Sequence, residues 1–509
     1  MPDFSSRFST QRPYDRNGDR APQNYLVASR GIRSLERSLE SDRGRIINSA
    51  AVRRLQQKTQ VFPLEHNAAV RSRLTHSLEV QQTGRFIVRT IFELLDERAA
   101  DYGLAGLERA TESLVEMACL MHDIGNPPFG HFGEAAISRW FERVLPELTP
   151  FSNEHLGPEQ VALRSELLRE LSSFEGNAQA IRLISQLQKL NLTYLQTACI
   201  FKYTRCATEA KPDKGGVLGY LKKKPGYYFS EREFVAGMQA ALEMAPGHRF
   251  PLTYLMEAAD DIAYCLADLE DGVDKGILEY PQLAQLLKDE FSRQRATAGD
   301  ADGAHFGRNS FAGIVDYAHE RADAEPINKE HEFFVSLRVG LIHPLVKHAA
   351  TRFIDNIDTV FDGSLNCALL EDRSPCHAVV ETLKRVAIRH VFSVAEVETL
   401  ELQGYRIISG LLEHYKPLLM LTMEQFERLR SGHGKGLLIE SRLFNRLPPK
   451  HVKAYLALLE QAPLLTDGEP FNAEVWERYC RCRLLQDMIS GMTDQFALDE
   501  FKALSVIGS

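Results

Sequence analysis

From about Ser41 to the C-terminus, apolar residues recur every three or four positions, and there is no convincing series of alternating strands. "HSLEVQQTGRFIVRTIFELLDERA", "LERATESLVEMACLMHDIG", "EGNAQAIRLISQLQKLNL", "LTYLMEAADDIAYCLADLEDGV" and "ELQGYRIISGLLEHYKPLLML" all keep this period. Helices so patterned bury one stripe against other helices, so the predicted class is all-α. "GGVLGYLKKKPGYYF" is the exception and suggests a small hairpin. Residues 296–313, "ATAGDADGAHFGRNSFAG", read as a loop or linker. Residues 1–35 are polar, Arg-rich and aperiodic, which predicts a flexible segment.

At 509 residues the chain is long enough for two or three domains or one large body. No apolar run reaches membrane-spanning length, and "MPDFSSRFSTQRPYDRNGDR" lacks the apolar core of a signal peptide. The expectation is a cytoplasmic protein without a membrane partner. Eight cysteines without a CxxC predict reduced, mostly structural thiols. A net charge of −9 argues against wholesale coating of nucleic acid, though not against a local basic groove.

The chemistry concentrates in "HDIGNPPFGHFGE", residues 122–134. His122-Asp123 ends a strongly apolar helix, where Gly125 can cap and Pro127-Pro128 forbid continuation. Adjacent His and Asp at such an end can turn toward one ion; the competing reading is a His-Asp hydrogen bond closing the helix. His76 of "SRLTHSLEV" lies near the start of another helix and alone would mean little. In "EAADDIAYCLADLED", Asp260, Tyr264 and Asp268 form one stripe, while Asp261 shares its face with Cys265. The surrounding Ala258, Ala259, Ile262, Ala263, Leu266 and Ala267 predict burial, and a buried acid needs a partner or a metal. His76, His122, Asp123 and Asp260 thus make a set of two imidazoles and two carboxylates. It lacks the thiolates of a structural zinc site and suits Mg²⁺, Mn²⁺, Fe, Co²⁺ or Ni²⁺.

These motifs, with "ESDRGRIINSAAVRRLQQKTQVFPLE", "MHDIGNPPFGHFGEAAI" and "FEGNAQAIRL", resemble the HD-domain metal phosphohydrolases, and within them the bacterial deoxyguanosine triphosphate triphosphohydrolases. The resemblance runs from about residue 40 to the C-terminus and implies an HD-domain helical core at 36–275, with a helical region at 276–509 completing the nucleotide pocket and the oligomer contacts. It implies hydrolysis of dGTP to deoxyguanosine and inorganic triphosphate, with Mg²⁺ or Mn²⁺ (alternatively Co²⁺ or Ni²⁺) held by His76, His122, Asp123 and Asp260. His131 and Glu134 become the catalytic pair; the competing reading is a helix cap. Lys202 and Tyr203 of "FKYTR", Lys224 of "LKKKPGYY" and Arg73 become contacts for substrate phosphates. Tyr264 and Asp268 lie against the sugar, Gln60 and Asn177 line the nucleoside pocket, Phe392 stacks on the base and Glu401 reads guanine, whose N1–H and N2–H₂ are both donors. Core packing is the competing fate of Phe392.

The resemblance further implies a homo-oligomer, in precedent a hexamer, and single-stranded DNA as a second partner. Arg442 matches a family Arg that reaches a neighbouring subunit or nucleic acid, but His433 stands where relatives can carry another. Two rivals remain: a triphosphohydrolase of broader deoxynucleotide range, and a single-strand-binding protein that uses basic segments such as "DRGRIINSAAVRRLQQK".

Overall fold

Helices dominate because almost every segment can bury an apolar stripe only against another helix. The computed structural model describes residues 2–14, 31–65, 67, 69–151, 156–213, 215–297, 305–306 and 309–506. The helices that position the site are α1 (Ile32–Ile47), α2 (Arg73–Leu95), α3 (Glu108–Met121), α4 (Gly130–Val144), α5 (Pro158–Leu171), α6 (Gly176–Arg182), α7 (Pro251–Asp274), α8 (Lys329–Asp355), α9 (Pro375–Ala387), α10 (Ala395–Met420), α11 (Ala473–Ser490) and α12 (Asp494–Leu504). The sheets seen among the described residues are two pairs of very short strands.

One core gathers α2, α3, α7 and α8, with α9 packed on α7. It runs in sequence from Phe4 to Val397. A second joins Phe129–Phe174 to Ile407–Ala497, with α4 against α10. Packing therefore does not divide at residue 275, where the sequence reading set its boundary: helices from both sides of that point complete each core. The reading took the family's motif block as a unit, whereas apolar stripes pair regardless of sequence distance.

Three local expectations are corrected. Residues 2–14 are docked rather than flexible: Phe4 and Phe8 are buried, Phe4 meets the rings of Phe353 and Phe361, and Arg12 pairs with Asp42 at 2.6 Å. Two Phe at the spacing of one helical turn outweigh the polar composition around them. The remainder of the expected flexible segment, 15–30, lies outside the described residues. "GGVLGYLKKKPGYYF" forms no hairpin; Pro225–Tyr227 pairs in parallel with Arg205–Cys206. A hairpin stands instead inside the expected 296–313 loop, where His305–Phe306 pairs with Asn309–Ser310. All eight cysteines are free, as their spacing predicted.

α11 is buried on every face from Val475 to Ser490, charges included. Arg481 is held by Glu477, Arg483 by Glu170 at 2.6 Å, and Asp487 by Arg182 at 2.7 and 2.8 Å. Arg182 also donates to Glu231 at 3.0 Å. Removing one member of such a network strands its partner's charge in a dry interior. Arg182→Ala is expected to destabilise the fold by about 3–5 kcal/mol, read from the urea midpoint; a loss below about 1 kcal/mol would show that Asp487 is solvated.

Candidate active site

Ser72 caps α2 in a capping box with Thr75, which sets Arg73 and His76 in the first turn. α3 stops at Met121, and the turn 122–129 carries the chain to α4. Its left-handed residues are Phe129 and Gly130, at φ 62° and 53°. Gly125 serves otherwise than as the expected left-handed cap: a Cβ there would lie 2.0 Å from the Gly176 carbonyl oxygen and 2.3 Å from the Ala180 nitrogen. Only a glycine lets the turn lie directly on α6.

Nε2 of His76 and Nε2 of His122 both converge on Oδ1 of Asp260, at 3.2 and 3.4 Å. His122 Nδ1 donates to the Cys119 carbonyl at 2.7 Å, which turns Nε2 toward the cluster. These three donors lie within 4.8 Å of one another and fit one divalent ion of mixed N/O preference. Asp123 borders the cluster, 3.6 Å from His122 Nε2. Its oxygens are engaged by Arg73 and by Asn126 Nδ2, the latter at 2.6 Å. Burial would lower the His122 pKa, but Asp123 and Asp260 raise it to about 9. Burial would raise the Asp123 carboxyl, but His122 and Arg73 hold it at about 2. The site is thus built around positive charge.

A cavity of about 500 Å³ opens over this cluster. Of the residues singled out from sequence, all line it except His76 and Asp268. His76 is fully buried behind Asp260. Asp268 is fully buried one turn beyond Tyr264, and burial pushes its carboxyl well above the usual range. Asp260 faces the imidazoles, whereas Asp261 pairs with Lys384 at 2.9 Å.

At the mouth, His131 Nδ1 meets Glu134 Oε2 at 2.9 Å, and Glu134 Oε1 accepts from the Gly176 amide at 2.8 Å. Lys202, Tyr203 and Lys224 stand on one wall. Glu257 lies 3.6 Å from Lys202 and Glu175 3.1 Å from Lys224; although burial would lower both ammonium groups, these carboxylates raise them. Phe392 ends a wide helical turn at Ile388–Phe392, and Glu401 lies in α10. Burial and the neighbouring Glu398 raise the Glu401 carboxyl.

Sequence reasoning missed Asn126, Glu175 and Lys384. Asn126 and Glu175 stand inside quoted motifs, where a polar residue beside tight glycines was the available signal. A Cβ at Gly176 would lie 2.1 Å from Asn126 Oδ1. Lys384 comes from α9, far along the chain, and carries no local signal.

A family described as HD domain matches residues 73–208. A Pseudomonas aeruginosa protein named "Probable deoxyguanosinetriphosphate triphosphohydrolase" is 56% identical over 512 residues, covering 99% of each chain. Proteins named deoxyguanosinetriphosphate triphosphohydrolase from Serratia proteamaculans and Klebsiella pneumoniae are each 49% identical, covering 99% and 93% of this chain and 98% and 95% of theirs.

The His131–Glu134 pair makes a direct prediction. The hydrogen bond to Glu134 raises the His131 pKa above the ordinary value of about 6.5. In Glu134→Gln the His131 imidazole should titrate at lower pH than in the wild type, followed by NMR of the ring protons. An unmoved midpoint would show that the two groups are not coupled.

Proposed function

The chain belongs to the deoxyguanosinetriphosphate triphosphohydrolase family, and on that premise we propose that it hydrolyses dGTP to deoxyguanosine and inorganic triphosphate by attack of water at the α-phosphorus. The observation that carries this reading is the convergence of His76, His122 and Asp260 beneath a cavity walled by Lys202, Tyr203 and Lys224. HD-domain proteins work with a divalent metal. Here Mg²⁺ or Mn²⁺ is the ion proposed, with Asp123 as fourth ligand. Arg73 now engages Asp123; by turning to the substrate's phosphates it would release that carboxylate.

When bound, the ion supplies positive charge against the α-phosphate and lowers the pKa of a water. The remaining steps fall to side chains. Lys202, Lys224 and Arg73 hold the phosphate chain and offset its charge. His131, fixed by Glu134, moves the proton at the attacking or leaving oxygen. Gln60 and Asn177 face the nucleoside, Tyr264 crowds the 2′ position, Phe392 stacks on the base and Glu401 accepts from guanine. Asp268, whose two buried oxygens have no hydrogen-bond partner among the described residues, accepts from the 3′-hydroxyl.

A homo-oligomer is part of the same proposal, supported by Leu438 and Ile439, which are 72% and 63% exposed beside Arg442. The single-strand-binding rival draws on the basic run from residue 42 to 58. Within it Arg43 is tied to Glu116 and Lys58 is buried, which favours hydrolysis as the primary activity. Among the described residues no helix is long and apolar enough to cross a membrane; a cytoplasmic role in the dGTP pool is the setting proposed.

Two measurements test this. With Mg²⁺ or Mn²⁺ and dGTP, the phosphorus product should be inorganic triphosphate; pyrophosphate or orthophosphate would place attack elsewhere and overturn the reading. His131→Gln should retain Mn²⁺ binding by calorimetry while kcat falls about 10²–10⁴-fold. Loss of metal together with activity would make His131 structural. Equal turnover of all four dNTPs would leave the mechanism standing and remove the guanine assignment from Phe392 and Glu401.

A further inference from the structure

The metal-bearing turn has two faces. His122, Asp123 and Asn126 line the active-site cavity, whereas Ile124 and Gly125 line a separate cavity of about 260 Å³ behind it. Arg54 and Lys450 bring two cationic groups to this rear cavity, and Lys58, whose pKa burial lowers to about 7, stands beside them. Arg54 makes no ion pair among the described residues, and burial together with Arg53 lowers its pKa. Lys450 is exposed and likewise has no ion-pair partner among the described residues. Asp487 is the one carboxylate in the lining, and its charge is already met by Arg182 and Gln179.

Among the lining residues, His451 Nδ1 and Gln179 Oε1 are buried without hydrogen-bond partners among the described residues, the two residues being 6% and 2% exposed. Desolvated atoms of this kind are costly unless something meets them. From this arrangement we infer that the rear cavity is a binding site for a phosphate group, distinct from the active site. Oxygens of a phosphate accept from Arg54 and Lys450, with Lys58 beside them. The volume suits a phosphate group rather than a whole nucleoside triphosphate.

Occupancy would be felt at the metal turn. Lys58 Nζ donates to the Asn126 carbonyl, and Asn126 Nδ2 holds Asp123. Gln179 sits on α6, the helix on which Gly125 rests. The phosphate can be inorganic or esterified, since both present the same group.

Equilibrium dialysis of the full-length protein with labelled inorganic phosphate, in the presence of chelator, tests the site. A Lys202→Gln/Lys224→Gln variant silences the front cavity and should still bind phosphate. Arg54→Gln should weaken that residual binding at least tenfold, and Lys450→Glu, at an exposed position that leaves the fold intact, should act in the same direction. Lys450→Glu should leave dGTP turnover without added phosphate unchanged. Phosphate binding lost in Lys202→Gln/Lys224→Gln, or unaltered by both Arg54→Gln and Lys450→Glu, overturns the inference. Competition by a deoxynucleoside monophosphate would assign the site to esterified phosphate; competition by orthophosphate alone would assign it to the inorganic ion.

Discussion

Charges buried in α11 hold the two cores in register. A guanidinium or carboxylate inside protein tolerates few geometries, because losing its partner costs far more than misplacing a methyl group. Asp487 therefore fixes α6 through Arg182 and Gln179. The Ser490 carbonyl receives Lys58 at 3.0 Å, and Asp494 of α12 receives the Thr59 amide at 3.0 Å and the Phe129 amide at 3.1 Å. These contacts bracket the turn that carries His122 and Asp123. The helices that carry His76, His122 and Asp260 come from the first core, but the turn that leads from α3 to α4 is clamped by the C-terminal end of the chain.

The cluster itself rests on a single oxygen shared by two imidazoles. In that position the raised His122 pKa is the protein's own answer to two carboxylates, and a divalent ion would take over the same electrostatic duty. Rigidity follows from where the ligands sit: α2 is capped just before His76, α3 is buried up to His122, and α7 is buried along nearly its whole length. Ligands on packed helices move little, which suits a site that must hold one geometry.

Much of this was legible in the sequence, for physical reasons. Helical period survives in α2, α3, α7 and α10 because each has one apolar face against a core. The Asp260 stripe could be separated from Asp261 by the four-residue step alone. α11 was illegible because its charged residues imply a wet face, while their true partners, Glu170 and Arg182, lie far away in sequence. Arg73's engagement with Asp123 was equally hidden, since a ligand motif gives identity but not which oxygen is free. The docking of Phe4 and Phe8 was masked by polar neighbours, and Lys384 by its distance from every motif.

The division of labour between cores has a consequence for specificity. The groups proposed to hold the ion and the phosphates stand on α2, α3, α7 and residues 202–224, whereas Glu401 stands on α10, which packs on α4. α10 approaches the metal turn so closely that a Cβ at Gly404 would lie 2.6 Å from the Phe129 ring. Phe129 is the left-handed residue that swings the chain from the metal pair into the helix bearing His131 and Glu134. The helix proposed to read the base therefore leans on the hinge that sets the proton carrier. A base that displaced Glu401 would press on Phe129, and that strain would reach His131, so base choice can be expressed in turnover as well as in binding.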